Sequence, residues 1–127
     1  MPQFYGRRGK HFIIPSFYNQ ATVLFASDGG TNIATGKWTT AGFILAKGSL
    51  IRKVHTLKSN PGVINTKNKL LQTSLLIQSA QNNYYQLQED ILLSSPSTAA
   101  RLVFGNDRNG DSEWKDAYGD SLGSLIN

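Results

Sequence analysis

Residues 94–110 read SSPSTAARLVFGNDRNG, and how this stretch is built decides the fold. Ser95 suits the cap of a helix, because a serine oxygen accepts from an N–H of the first turn that has no partner inside the helix. Pro96 suits the first helical position, where a missing N–H costs nothing. Gly105 suits the end, since a left-handed closing residue favours glycine. Between them, the small side chains of Ala99 and Ala100 let the helix approach another element closely. Downstream, NDRNG reads as a Gly/Asn turn, EWKD as a short strand and SLGSLI as a last turn of helix.

Working upstream, ILL and the pair SLLIQ and YYQLQ around the polar link SAQNN suggest β-structure with a hairpin, although LLQTSLLIQ could instead extend the preceding helix. That helix is VINTKNKLLQT, with Ile64, Lys67, Leu70, Leu71 and Ser74 on one face, introduced by the breakers Ser59, Asn60, Pro61 and Gly62. ATVLFAS (21–27) and AGFILAKG (41–48) are rich in strand formers, with Asp28, Gly29 and Gly30 as a turn between them. TNIATGKW can add a short strand, and SLIRKVH (49–55) continues or follows the sheet after a break at Gly48. The first twenty residues mix Gly, Pro, Arg and aromatics without a period, as expected of an arm or extended edge. The expectation is an α+β fold: one small domain at 21–127, mostly antiparallel sheet with two or three short helices, behind an N-terminal arm at 1–20.

The 127 residues match one ordinary domain, and 39% hydrophobic residues suffice for a core. Without cysteine there is no disulfide framework or thiolate zinc site, which fits a reducing compartment, so the cytoplasm is the expected location. No apolar run reaches the roughly 18 residues of a membrane span, nor is there a signal-peptide core, so no membrane partner is expected. Charge is uneven. Residues 1–70 hold ten Lys and Arg against the single acid Asp28, whereas 71–127 hold three against seven acids. Such a split is a candidate footprint for a polyanion, since Lys and Arg release counterions when they neutralise phosphates. The other reading is a basic surface scattered and solvated.

Two further blocks carry a resemblance. Gly42, Phe43, Leu45, Lys47, Gly48 and Ser49 form a Gly-Phe strand ending in Lys-Gly-Ser. Some forty residues on come Ser95, Pro96, Ser97, Ala99, Ala100, Gly105, Asn109, Gly110, Trp114, Lys115, Gly119 and Leu122. Over residues 25–125 the chain resembles a bacterial and phage domain of unknown function often attached to GIY-YIG nuclease-type proteins. It is more weakly similar to a restriction-methylase-associated module, whose Asn-Gly is followed by tryptophan where this chain has Asp111. Tyr5-Gly6 is not the nuclease motif, and the chain has no room for that enzyme. The resemblance implies an accessory without its enzyme, doing nucleic-acid or restriction-related work.

On this reading Arg7, Arg8, Lys37, Lys47, Arg52, Lys53 and Lys58 are candidate phosphate contacts, with Arg101 or Arg108 as basic neighbours of the hydroxyl-rich helix start at Ser95 to Thr98. Trp38, in a polar segment beside Lys37, is the candidate exposed aromatic for stacking on a base, whereas Trp114 beside Lys115 belongs to the structural motif. The aromatics of the arm either stack on single strands or pack on the domain's own sheet. His55, amid Arg52, Lys53 and Lys58, and His11 are the only histidines available for acid/base catalysis. No nucleophile, base and orienter assemble, so a small histidine-dependent nuclease ranks below a binding module. Asp107, Asn109 and Asp111 start like a calcium loop, but Ser112 and Tyr118 occupy its glycine and closing-carboxylate positions, so neither metal nor cofactor is expected. The alternative to DNA or RNA as partner is a protein: a component of a nuclease or restriction system, or an acidic target of a phage or host regulator.

Overall fold

The computed structural model describes residues 2–6, 14–56 and 60–127; Arg7, Arg8, His11 and Lys58 lie outside them. Among the described residues are two sheets and four helices. Strands β1 (Gln3–Phe4), β2 (Leu24–Asp28), β3 (Thr31–Thr39), β4 (Gly42–Leu45) and β8 (Ile91–Leu93) form a five-stranded sheet of order β1-β8-β4-β3-β2. Only β1 is parallel to its neighbour, β8. Strands β5 (Leu50–Arg52), β6 (Leu76–Gln78) and β7 (Tyr84–Leu87) form an antiparallel sheet of order β5-β7-β6. The helices are α1 (Pro61–Gln72), α2 (Pro96–Phe104), α3 (Gly110–Glu113) and α4 (Leu122–Ile126). This is the expected α+β domain. No helix among the described residues is long and apolar enough to cross a membrane.

Several local expectations hold, and others shift. The hairpin forms as β6 and β7, and α1 stops at Gln72 instead of running on, with Ser74 at φ 60 just beyond it. β5 does not extend the first sheet but opens the second, pairing with β7. TNIATGKWT, polar by composition, makes a nine-residue strand, because Ile33, Ala34 and Trp38 are buried by the rest of the fold. Lys115 makes only isolated bridges, to Phe25 and Ser121, and Glu113 belongs to α3, so EWKD is not a strand. The described part of residues 1–20 joins the domain: β1 is an edge strand, and Tyr5 and Tyr18 are buried.

The motif stretch is a joint. Ser95 Oγ accepts from Thr98 N at 3.1 Å and Pro96 begins α2. Gly105 closes it at φ 72, where an added Cβ would stand 2.3 Å from the Val54 carbonyl oxygen. Ser97 Oγ accepts from Gly110 N at 3.0 Å, and a Cβ on Gly110 would stand 2.5 Å from Ser97 N, so α3 can touch the start of α2 only through glycine. Asn109 caps α3 by accepting from Asp111 N at 2.9 Å. Trp114, wholly buried, donates Nε1–H to the Pro96 carbonyl at 2.9 Å and packs on Phe43 with ring centroids 4.5 Å apart. Ala99 and Ala100 are also fully buried, which sets α2 tight against its neighbours. Burial of a side chain such as Phe43 stabilises by about 1.5–3 kcal/mol.

Candidate functional site

The opposite side of α2 faces a cleft of about 680 Å³, within the size range of small-molecule sites. Three elements build it. The chain after β1 supplies Tyr5 and Gly6; α1 supplies its cap Asn60, then Asn65, Thr66 and, in its last turn, Lys69; α2 and its approach supply Ser94, Thr98 and Arg101. On α1, positions 62, 65, 66 and 69 share one face at helical spacing; Val63 and Thr66, which also line the cleft, are buried, as are Lys67 and Leu70.

The chemistry of this wall is that of a donor surface. No described residue lining the cleft is acidic, and residues 7–13 and 57–59, next in sequence to Gly6 and Asn60, contain no acid either. Lys69 holds its ammonium over the Tyr5 ring, 5.8 Å from the centroid. Arg101 gives its Nε–H to the exposed Asp107 at 3.0 Å, a bond that orients the guanidinium and leaves both Nη groups for something else. Asn60 Oδ1 accepts from Gly62 N at 2.8 Å, so its amide nitrogen is the part free to donate. Three of the first-turn amides are already used: Gly62 N by Asn60 Oδ1, Val63 N by Asn60 O at 3.0 Å, Thr98 N by Ser95. An anion here would therefore meet side chains and not a bare helix end.

A second constellation ties the two sheets together. Arg52 forks onto Asp28, Nη2 to Oδ1 at 2.6 Å and Nε to Oδ2 at 2.9 Å, and gives Nη1–H to the Phe104 carbonyl at 3.2 Å. Tyr84 donates its hydroxyl to Asp28 Oδ2 at 2.5 Å. The Arg52 guanidinium, and after it the Tyr84 hydroxyl, hold the Asp28 carboxyl below the usual carboxylate range; donating to Asp28 raises Tyr84. Next to it Lys67, almost fully buried, donates Nζ–H to the Arg52 carbonyl at 3.1 Å and to the Lys53 carbonyl, and burial pushes its ammonium down to about 8. The ring nitrogens of His55 are shut off from solvent, with no hydrogen-bond partner among the described residues; burial, then the Lys67 charge, lowers its pKa.

The structure disperses the sequence-predicted site. Arg52 is committed to Asp28, Lys53 donates to Gln78 and lies over the Tyr85 ring, and Arg108 pairs with Glu113 at 2.9 Å. Lys37 and Lys47 are exposed, without an ion pair among the described residues, and do not line the cleft. Arg101 does. Two expectations are corrected. Trp38 is only 6% exposed and packs on Tyr18, 5.8 Å between centroids, because the described part of the N-terminal segment folds over it; it offers no face to a base. His55 is not a surface histidine, and its buried nitrogens are not placed to exchange protons with a substrate. Among the described residues no group of three His, Asp or Glu could hold a metal ion, Asn109 being used as a cap and Asp107 facing Arg101. Lys69, Asn60 and Asn65 were missed by sequence reasoning, although the polar stripe on α1 was there to see.

A family model for a domain of unknown function, DUF4357, matches residues 25–126. The chain belongs to the DUF4357 family. The match spans β2 to α4, so both sides of α2 lie within the DUF4357 region, while Tyr5 and Gly6 of the cleft precede it. No curated protein and no solved structure matches the chain.

Proposed function

We propose that this chain is a non-catalytic accessory module that binds nucleic acid, and that it does so at the cleft between α1 and α2. The observation that carries the reading is the composition of that wall: an ammonium, a guanidinium, two carboxamides and several hydroxyls converge on about 680 Å³ with no described carboxylate among them. Such a surface seeks an anion rich in hydrogen-bond acceptors, and phosphodiester and nucleobase meet both demands. The surplus of basic residues before residue 71 adds long-range attraction for the same class of ligand. Service to a restriction or GIY-YIG nuclease system rests on the sequence resemblance alone.

The test is fluorescence anisotropy of labelled single-stranded RNA, single-stranded DNA and duplex DNA at two salt concentrations, with the probes checked afterwards for cleavage. Binding that weakens steeply with salt and leaves the probe intact is expected. No binding to any probe at low salt would overturn the reading and favour an acidic protein partner. Cleavage lost in a His11 variant would favour a nuclease.

A further inference from the structure

The occupant of the cleft can be specified further, on the reading that this site takes nucleic acid. We infer that the cleft holds a terminal phosphomonoester, carried by a mononucleotide or by the end of a strand, with the phosphate between Lys69 and Arg101.

Three observations lead there. The first is size: the cleft is a concavity of about 680 Å³, and a duplex is read by inserting protein into its grooves, not by entering a hollow. A nucleotide or a frayed strand end is of the size to enter it. The second is the number of cations. The described lining has two, Lys69 and Arg101, the second shared with the exposed Asp107, enough to meet one phosphomonoester of roughly −1.5 to −2 charge but not a run of phosphates. A continuous strand needs a row of cations along its phosphates, yet Arg52, Lys53 and Arg108 are turned to Asp28, Gln78 and Glu113. The third is geometry. With Nε on Asp107, Arg101 can turn its Nη pair to two oxygens of one phosphate, and the ammonium of Lys69, over the Tyr5 ring, is a point charge that can meet the third. The carboxamides of Asn60 and Asn65 remain to meet sugar or base.

One oligonucleotide sequence prepared with a 5′-phosphate, a 3′-phosphate or hydroxyls at both ends tests this, with AMP and inorganic phosphate as competitors. Wild type is compared with Lys69→Gln and Arg101→Gln, each checked for an unchanged melting temperature. One phosphorylated end should bind at least tenfold tighter than the hydroxyl form, and both variants should lose that difference. Competition by AMP at concentrations where inorganic phosphate is silent would make a nucleotide monoester the recognised group. Tight AMP binding with no oligonucleotide binding would keep the phosphomonoester and overturn the nucleic-acid reading. Equal affinity for phosphorylated and hydroxyl ends would overturn the terminal-phosphate inference and leave nucleic-acid binding standing. Failure of every probe, AMP included, would overturn both.

Discussion

The two sides of α2 differ in what their residues are for. One side, with Pro96, Ala99, Ala100 and the partners Gly110 and Trp114, is packed without space; Ser94, Thr98 and Arg101 on the other line the cleft. The residues that form a recognisable motif make the joint, and each has a structural reason: a cap, a close approach, a buried indole bond. The cleft side of α2 carries no motif, because side chains that line a hollow need only converge in space. A memorable sequence block thus records how the chain is joined, and the cleft on the other side of α2 has to be read from the folded chain.

The comparison breaks if the joint proves dispensable. Replacing Trp114 with Ala removes the fully buried indole from Phe43 and leaves the Pro96 carbonyl without its donor; the expected loss is about 3–5 kcal/mol in urea unfolding. A loss below 1 kcal/mol would mean that the joint does not hold α2.

Next in size is Lys67. Its folded ammonium loses a proton at about 8, whereas an unfolded lysine keeps it to about 10.4. Between these values the unfolded state binds more protons, so stability rises with pH across that window, by on the order of 3 kcal/mol in total. Lys67→Met should flatten the rise, measured as the difference between the two unfolding free energies at pH 7.5 and 10.5. Parallel pH curves would show that this ammonium is solvated.

Smaller is the clamp between the sheets. Asp28→Asn weakens the charged bonds to Arg52 and Tyr84 and should cost about 1–2 kcal/mol at pH 7. Because the folded Asp28 carboxyl titrates below its unfolded value, its stabilisation is present above about pH 4 and lost as pH falls through the folded value. The variant should lack that part of the acid loss in a pH series of thermal melts.

Much of the fold was legible because its signals are local. Ser95, Pro96 and Gly105 act within a turn of themselves, and the strand formers of β2 and β4 need no partner to be recognised. β3 was underread, since its polar letters become a strand only when Trp38 meets Tyr18 and Gly36 lies under the Phe43 ring. The site was less legible still. Arg52 looks like a free cation in sequence, but its partner Asp28 is 24 positions away. Lys67 falls on the apolar face of α1, and nothing in its neighbours says that backbone carbonyls of β5 and the residue after it will receive it. The cleft draws on segments near residues 5, 65 and 98, which only the folded chain brings together.

The most direct test of the division between joint and cleft is the double variant Lys69→Gln/Arg101→Gln, measured by anisotropy with a labelled single-stranded oligonucleotide at two salt concentrations beside its unfolding curve. Two side chains on an open wall should leave unfolding within about 0.5 kcal/mol of wild type. Binding should weaken by tenfold or more, and the salt slope should fall by about 0.7, the share of the one single-strand phosphate that the two cations hold between them. Unchanged affinity and salt slope in a fully folded double variant would contradict the account and move the binding surface away from the cleft.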